Sequence, residues 1–134
     1  KFSVFRFFNV YGTGQDANSP YASVIPKFVN LSCRNETIKI EGDGKQTRDF
    51  IHVSDVVDAN ISAMNNDIKA IMPFNIGSGK NYSVNEIANM FGAEKKYGEK
   101  RVEPKETLAN IGRAKLLLKW EPKTKLEEWI KEQL

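Results

Sequence analysis

Two residues of the chain, His52 and Cys33, belong to types that often catalyse reactions or bind metals, and each occurs once. His52 lies in an apolar strand pattern without a nucleophile elbow, so we interpret it as a packed, hydrogen-bonded histidine. Cys33 lies in a helical pattern with no histidine nearby in sequence, so we expect a buried structural thiol. No ligand spacing supports a zinc site. The sequence therefore predicts neither a nucleophile nor a metal centre.

Two glycine pairs resemble parts of phosphate-binding loops. A P-loop has a glycine, four further residues and then Gly-Lys-Ser/Thr. In Gly77–Asn81 the first glycine is too close to the second, and Asn81 stands in place of the hydroxyl residue. Gly12 and Gly14 lack the third, helix-opening glycine of a dinucleotide fingerprint. Both pairs are predicted to form turns.

The amino-terminal half of the chain alternates strand and helix patterns. Residues 2–11 form a nearly continuous apolar and aromatic run, typical of a strand buried on both faces of a parallel sheet. Helical spacing of apolar residues predicts a helix over 24–32, with Pro26 in its first turn. Strands are predicted over 37–41 and 47–53.

The remaining elements follow from capping residues and apolar spacing. Ser54 is predicted to cap a helix whose apolar stripe is Val57, Ile61 and Met64. Further elements are predicted as a strand at 74–76 and as helices after the caps Ser83, Asn110 and Thr124. This alternation favours the α/β fold class.

Composition limits the possible functions. The chain has 134 residues, which suits one domain, and it has no apolar run of the ~20 residues that span a bilayer. One cysteine and no signal-peptide pattern favour a cytoplasmic protein without a membrane partner. The net charge is +3, but the lysines are scattered and interleaved with glutamate late in the chain. This pattern is typical of solvated helix faces, so no nucleic-acid partner is predicted.

Three blocks of sequence, in order, carry a resemblance to a known family. They are Arg6–Gly12 continued by Ser19–Phe28, then Ile40–Asp55, and then Phe74–Gly79 with Tyr82–Glu86. This arrangement resembles the carboxyl-terminal half of extended short-chain dehydrogenase/reductase proteins, most closely UDP-glucose 4-epimerases. The resemblance covers nearly the whole chain.

The resemblance implies a fold and a reaction. The fold would be the carboxyl-terminal portion of an NAD(P)-binding Rossmann-like fold plus the smaller substrate-binding domain. Enzymes of this family oxidise the sugar at C4 with NAD, rotate the keto intermediate and return the hydride to the other face. Their Tyr-x-x-x-Lys pair and glycine-rich fingerprint are missing here, since Tyr97 is followed four residues later by Arg101. Residues 1–134 would then be a substrate-binding part that lacks its amino-terminal NAD-binding part and is inactive alone.

The resemblance also assigns binding roles. Asn9 would contact the diphosphate of a UDP-sugar, and the backbone of Phe8 would touch the nicotinamide end of NAD. Val24 would line the pocket. Arg48 would pair with a phosphate through two charge-assisted hydrogen bonds, and Phe50 would pack near the nucleotide.

The remaining assigned residues surround the nucleoside. The backbone of Lys39, Ile40 and Glu41 would meet the uracil. Lys100–Glu103 departs from the family's usual Arg-Pro-Gly-Asp/Glu segment, because Val102 replaces the glycine and the arginine is displaced by one position. Glu103 matches the acid that usually binds a ribose hydroxyl. Arg101, rather than Lys100, is predicted to meet a phosphate.

Alternatives to a UDP-sugar 4-epimerase remain open. A dTDP-glucose 4,6-dehydratase fits less well, because those enzymes tend to have Arg-Asp-Trp where this chain has Arg48-Asp49-Phe50. A stand-alone nucleotide-sugar-binding module is a second possibility. The resemblance further suggests a homodimeric parent enzyme, formed through helices of the missing half.

Overall fold

Strands and helices alternate along the chain, as the sequence predicts, in a computed structural model that describes residues 2–68 and 72–134. The strands are β1 (Phe5–Phe7), β2 (Asn9–Tyr11), β3 (Ile38–Glu41), β4 (Thr47–His52), β5 (Phe74–Ile76), β6 (Asn81–Ser83) and β7 (Lys95–Gly98). The helices are α1 (Val24–Cys33), α2 (Val53–Asn65), α3 (Val84–Met90) and α4 (Leu126–Glu132), with a π-helical turn at Ala114–Leu118 before α4. None of these helices is long and apolar enough to cross a bilayer.

Most strand pairs in the described residues are parallel. β1 pairs with β5, β2 with β4, and β3 with β7, all in parallel, while β6 runs antiparallel on the other side of β4. Parallel pairs linked through helices are typical of α/β proteins. The predicted α/β class with a Rossmann-like parallel arrangement is confirmed.

The predicted single strand over residues 2–11 is divided at Phe8. The Phe8 N–H donates to the carbonyl of Ile76 over 3.0 Å, after which the chain moves from pairing with β5 to pairing with β4. The prediction of burial on both faces is wrong for the first part of this run, because Phe2 is 72% exposed and Phe7 is 51% exposed.

Two apolar cores lie on opposite faces of β4. Phe50 packs into a first core with residues of α1, β3, α3 and α4, and the next residue, Ile51, packs into a second core with residues of α2, β5 and the π-helical turn. Successive side chains of a strand point to opposite faces, so one strand can serve both cores. The residues at the start of β4 are thereby fixed relative to α1 and β3, since Phe50 anchors them.

Helix α2 is rotated relative to the prediction. His52, not Ser54, is the N-cap, because the His52 Nδ1 accepts the Ser54 N–H. The predicted stripe of Val57, Ile61 and Met64 is exposed, and Asp55 is buried instead. The carboxylate of Asp55 accepts backbone N–H groups of residues 123 and 124, at 3.0 and 3.1 Å, and these bonds fix the buried face of the helix.

Other capping residues and the single cysteine have mixed outcomes. Ser83 and Glu86 form the predicted capping box of α3. Thr124 does not cap α4, which begins at Leu126 after Lys125, and the Thr124 hydroxyl lies 3.4 Å from that of Ser54 instead. Cys33 is exposed at the end of α1, so the expected burial of its thiol is wrong.

His52 is a packed, hydrogen-bonded histidine, as predicted. Its ring lies 5.2 Å from the ring of Tyr11 and 5.9 Å from that of Trp129, measured between centroids. Its Nδ1 lies 2.7 Å from the Ser54 hydroxyl. Burial lowers the pKa of His52, partly opposed by the nearby negative charges of Asp55 and Glu132.

Candidate functional site

A cavity of about 520 Å³ lies between α1, the end of β3, the start of β4 and the segment 101–103. We call it the α1–β4 cavity. Eight of the ten predicted binding residues line it, which places residues from distant parts of the sequence around one space. They are Asn9, Val24, Lys39, Glu41, Arg48, Phe50, Arg101 and Glu103.

Two ion pairs of the described residues lie at this cavity. Arg48 is the more buried of their two cations, with its side chain 13% exposed. Its Nη1 donates to the carbonyl of Thr47 over 2.8 Å, and its Nη2 forms an ion pair with the carboxylate of Glu103. The bond to Thr47 holds the guanidinium toward the cavity. The planar guanidinium can bind a phosphate through two parallel hydrogen bonds when the phosphate replaces the Glu103 carboxylate as its partner.

A second ion pair joins Arg101 to Glu41, with 2.7 Å between Nη2 and Oε1. Arg101 is 70% exposed, so this pair lies at the rim and is weaker than that of Arg48. The displaced arginine of the 100–103 segment therefore does reach the cavity. Lys100 lines a neighbouring, smaller cavity of about 300 Å³ instead.

The side chains that line the α1–β4 cavity favour an anionic ligand. Lys27, Lys39, Arg48 and Arg101 bring four cationic groups, whereas the carboxylates of the lining are those of Glu41 and Glu103. A concave site with a surplus of one charge attracts ligands of the opposite charge. The lining also contains apolar surface from Val24, Phe28, Leu31, Phe50 and Val84, which suits a flat base or sugar face beside a phosphate.

Asn9 is oriented by the backbone of β4. Its Nδ2 donates to the carbonyl of Asp49 over 2.8 Å, and it lies opposite Phe50 in the register of β2 and β4. An amide has two N–H donors and an acceptor oxygen, so Asn9 retains polar capacity for a ligand.

Two predicted residues do not line the cavity. The Ile40 side chain is 1% exposed and packs in the first core, so only its backbone, as the prediction specified, could approach a base. Phe8 packs against the second core, and its N–H is committed to Ile76. Any backbone hydrogen bond of Phe8 with NAD would therefore involve its carbonyl oxygen.

Several lining residues were missed by the sequence interpretation. Lys27 and Leu31 follow Val24 at intervals of three and seven residues, so the helical period of α1 could have identified them. Gln46 has no such signal. Its Nε2 donates to the carbonyl of Glu41 over 3.0 Å and to Oε1 of Glu103 over 3.2 Å, contacts that depend on the fold.

No group of three or more His, Cys, Asp or Glu side chains that could hold a metal ion occurs among residues 2–68 and 72–134. Among the described residues, the lysines and tyrosines with raised pKa values are Tyr11, Lys80, Tyr82, Lys123 and Lys125, and all five lie outside the cavity lining. Hydrogen bonds with Glu127 and Tyr82 raise the pKa of Lys80, and burial raises that of Tyr82.

Comparison with known proteins identifies relatives of the chain. A sequence profile of the NAD dependent epimerase/dehydratase family matches residues 1–77. The chain is 35% identical to the UDP-glucuronate 4-epimerase of Thermodesulfobacterium geofontis, over 96% of this chain and 41% of that protein. It is 31% identical to the dTDP-L-rhamnose 4-epimerase of Burkholderia thailandensis, over 97% of this chain and 38% of that protein.

Solved structures agree with these relatives. The crystal structure of UDP-glucose 4-epimerase from Thermotoga maritima with UDP-glucose matches with a TM-score of 0.87 and 36% identity, over 96% of this chain and 43% of that one. UDP-glucuronic acid 4-epimerase from Bacillus cereus, crystallised with UDP-glucuronic acid and NAD, matches with a TM-score of 0.86 and 27% identity, over 98% of this chain and 43% of that one.

The chain thus spans less than half the length of each of these proteins. The family model covers more than half of the chain, and the fold agrees closely with that of enzymes that bind nucleotide sugars and NAD. The chain belongs to the NAD-dependent epimerase/dehydratase family.

Proposed function

We propose that the chain is the substrate-binding part of an NAD-dependent UDP-sugar 4-epimerase that interconverts UDP-glucose and UDP-galactose by transient oxidation at C4. The observation that carries this proposal is the α1–β4 cavity, where Arg48 and Asn9 share a lining with a surplus of cationic groups. That lining suits a diphosphate with a base at one end and a sugar at the other.

The proposed roles follow the positions of the side chains. Arg48 binds a phosphate of the substrate, and Asn9 binds the same diphosphate from β2. The backbone of 39–41 faces the uracil, Glu103 accepts a hydrogen bond from a ribose hydroxyl, and Arg101 adds positive charge at the rim. Val24 and Phe50 supply apolar surface beside the nucleotide.

We further propose that NAD and the catalytic residues lie on an amino-terminal part of the whole protein. An apolar surface of this chain supports the presence of another segment. β1 is bonded only to β5 among the described strands, and a second cavity of about 520 Å³ is lined by residues of β1 and α2. Phe2, Phe7 and Met64 are among the exposed side chains of that cavity. Parallel strands are normally covered on both faces, so we expect a further part of the protein to cover this surface.

Calorimetric titration of the chain with UDP-glucose and dTDP-glucose tests the choice of nucleotide. We expect UDP-glucose to bind more tightly. A clear preference for dTDP-glucose would instead support a function like that of the matched dTDP-sugar epimerase.

Sequencing the coding DNA upstream of Lys1 tests the proposed division of labour. We expect an open frame that encodes a glycine-rich fingerprint and a Tyr-x-x-x-Lys pair. A stop codon followed by a start site at Lys1 would instead make the chain a stand-alone binding module, and the epimerase proposal would fail.

A further inference from the structure

Gln46 connects the two sides of the α1–β4 cavity. Its amide nitrogen donates one hydrogen bond to the backbone carbonyl of Glu41, over 3.0 Å, and a second to Oε1 of Glu103, over 3.2 Å. A side-chain amide has two N–H donors, so these two bonds use both. Gln46 therefore ties the end of β3 to the segment that carries Glu103.

The two carboxylate oxygens of Glu103 have different partners. Oε2 forms the ion pair with Arg48, while Oε1 accepts the bond from Gln46. When a phosphate binds the guanidinium of Arg48, Oε2 of Glu103 loses its partner, but Oε1 keeps its hydrogen bond from Gln46. Without Gln46, the Glu103 side chain, which is 33% exposed, would regain its rotamer freedom and turn toward solvent.

We propose that Gln46 is a positioning residue, which holds Glu103 toward the ribose after a phosphate has drawn Arg48 away. The inference rests on the proposed function, because it takes the ligand to be a nucleoside diphosphate whose ribose meets Glu103. Arg48 and Gln46 each hold one carboxylate oxygen of Glu103. In the bound state, Gln46 keeps the released carboxylate at the cavity, where it can accept a hydrogen bond from a ribose hydroxyl.

Gln46 and Glu103 both line the α1–β4 cavity, so the Gln46 amide can orient a carboxylate that faces a bound ligand. Its bond to Glu41 also fixes the amide itself, because the carbonyl of Glu41 belongs to β3 and is held by the pairing with β7. A donor anchored on a strand keeps its direction when the ligand changes the charges around it.

The test is the loss of discrimination between nucleotides with and without ribose hydroxyls. The 134-residue chain is titrated with UDP, 2′-deoxy-UDP and 3′-deoxy-UDP by calorimetry. We expect the unaltered chain to prefer UDP over at least one deoxy analogue by about tenfold, as a hydrogen bond to a charged group implies. In Gln46→Met, which keeps the side-chain length and removes both donors, this preference should fall to about twofold or less.

Matched variants separate positioning from general damage. Gln133→Met makes the same change at the C-cap of α4, where the amide donates to the carbonyl of Trp129 outside the cavity lining, and should leave the preference unchanged. Adding Glu103→Ala to Gln46→Met should lower the preference no further, because both changes remove the same contact. Gln46→Glu keeps the shape of glutamine, removes its donors and adds a negative charge that repels Glu103, so it should also lower the preference and replaces Gln46→Met if thermal melting reveals that variant to be unfolded.

Failure of the inference and failure of the proposed function give different results. No binding of UDP by the unaltered chain would remove the proposed function and the inference with it. Binding without any hydroxyl preference, or a full preference retained in folded Gln46→Met or Gln46→Glu, would overturn the role of Gln46 and leave the cavity's assignment intact.

Discussion

Asn9 Nδ2 donates a hydrogen bond of 2.8 Å to the backbone carbonyl of Asp49. This bond connects Asn9, which is proposed to bind the diphosphate, to the centre of the fold. The Asp49 carboxylate is fully buried and accepts four hydrogen bonds. Three come from the N–H and hydroxyl of Ser78 and the N–H of Gly79, at 2.7, 2.8 and 2.9 Å, and the fourth comes from the N–H of Ala109 at 3.1 Å. The orientation of Asn9 therefore depends on a buried carboxylate outside the cavity.

Replacing this carboxylate tests its structural importance. In Asp49→Asn, one oxygen becomes an N–H₂ group that faces backbone donors, which leaves buried donors without partners. We expect the free energy of unfolding to fall by about 2–4 kcal/mol, as measured by urea denaturation. Asp58→Asn, at an exposed carboxylate paired with Lys123, is the matched control and should change stability little. Equal effects of the two changes would contradict the account of Asp49.

Stability should depend on pH through His52, the only histidine of the chain. Its pKa is lowered in the fold, mainly by burial, so the folded state favours the neutral ring. The neutral Nδ1 is also the acceptor that caps α2. The stabilisation is thus fully present above the unfolded pKa of ~6.5 and is lost as the pH falls toward the lower folded pKa.

Urea denaturation at pH 8 and pH 5.5 measures this dependence, in a range above the titration of most carboxylates. We expect a lower free energy of unfolding at pH 5.5, and a smaller difference in His52→Asn, which retains a capping side chain. A difference of the same size in His52→Asn would show that another group is responsible.

The exposed apolar face of α2 should be dispensable for the fold of this chain alone. Ile61 is 49% exposed and Met64 is 83% exposed. Changing either to glutamate should leave the urea midpoint nearly unchanged and reduce self-association, measured by sedimentation at high concentration. Ala59→Glu, on the buried face of the same helix, should unfold the chain. A large loss of stability in Met64→Glu would contradict the placement of this face.

Local patterns predicted much of the fold. The alternation over 37–41 and 47–53 predicted β3 and β4, and the Ser83–Glu86 spacing predicted the cap of α3, because these signals involve neighbours in sequence. The rotation of α2 was missed because it depends on bonds from Asp55 to backbone groups far along the chain. An apolar stripe at helical spacing cannot reveal that a carboxylate will be buried instead.

The same distinction holds for the candidate site. Motif resemblance placed Asn9, Arg48 and Glu103 together, and all three line one cavity. Gln46 was not identified, because its significance comes from two bonds that form only after β3 and the 101–103 segment have come together. The pairing of Arg48 with Glu103 and of Arg101 with Glu41 was likewise beyond any single-residue pattern.

The central claim is that the α1–β4 cavity binds a nucleoside diphosphate through Arg48. The most direct measurement is calorimetric titration of UDP into the unaltered chain, Arg48→Ala, and the control Arg34→Ala, which changes an exposed arginine at the end of α1. We predict that Arg48→Ala weakens binding by about 2–3 kcal/mol, or roughly 30- to 150-fold, while Arg34→Ala binds as the unaltered chain does. Equal affinity of Arg48→Ala and the unaltered chain would contradict the account.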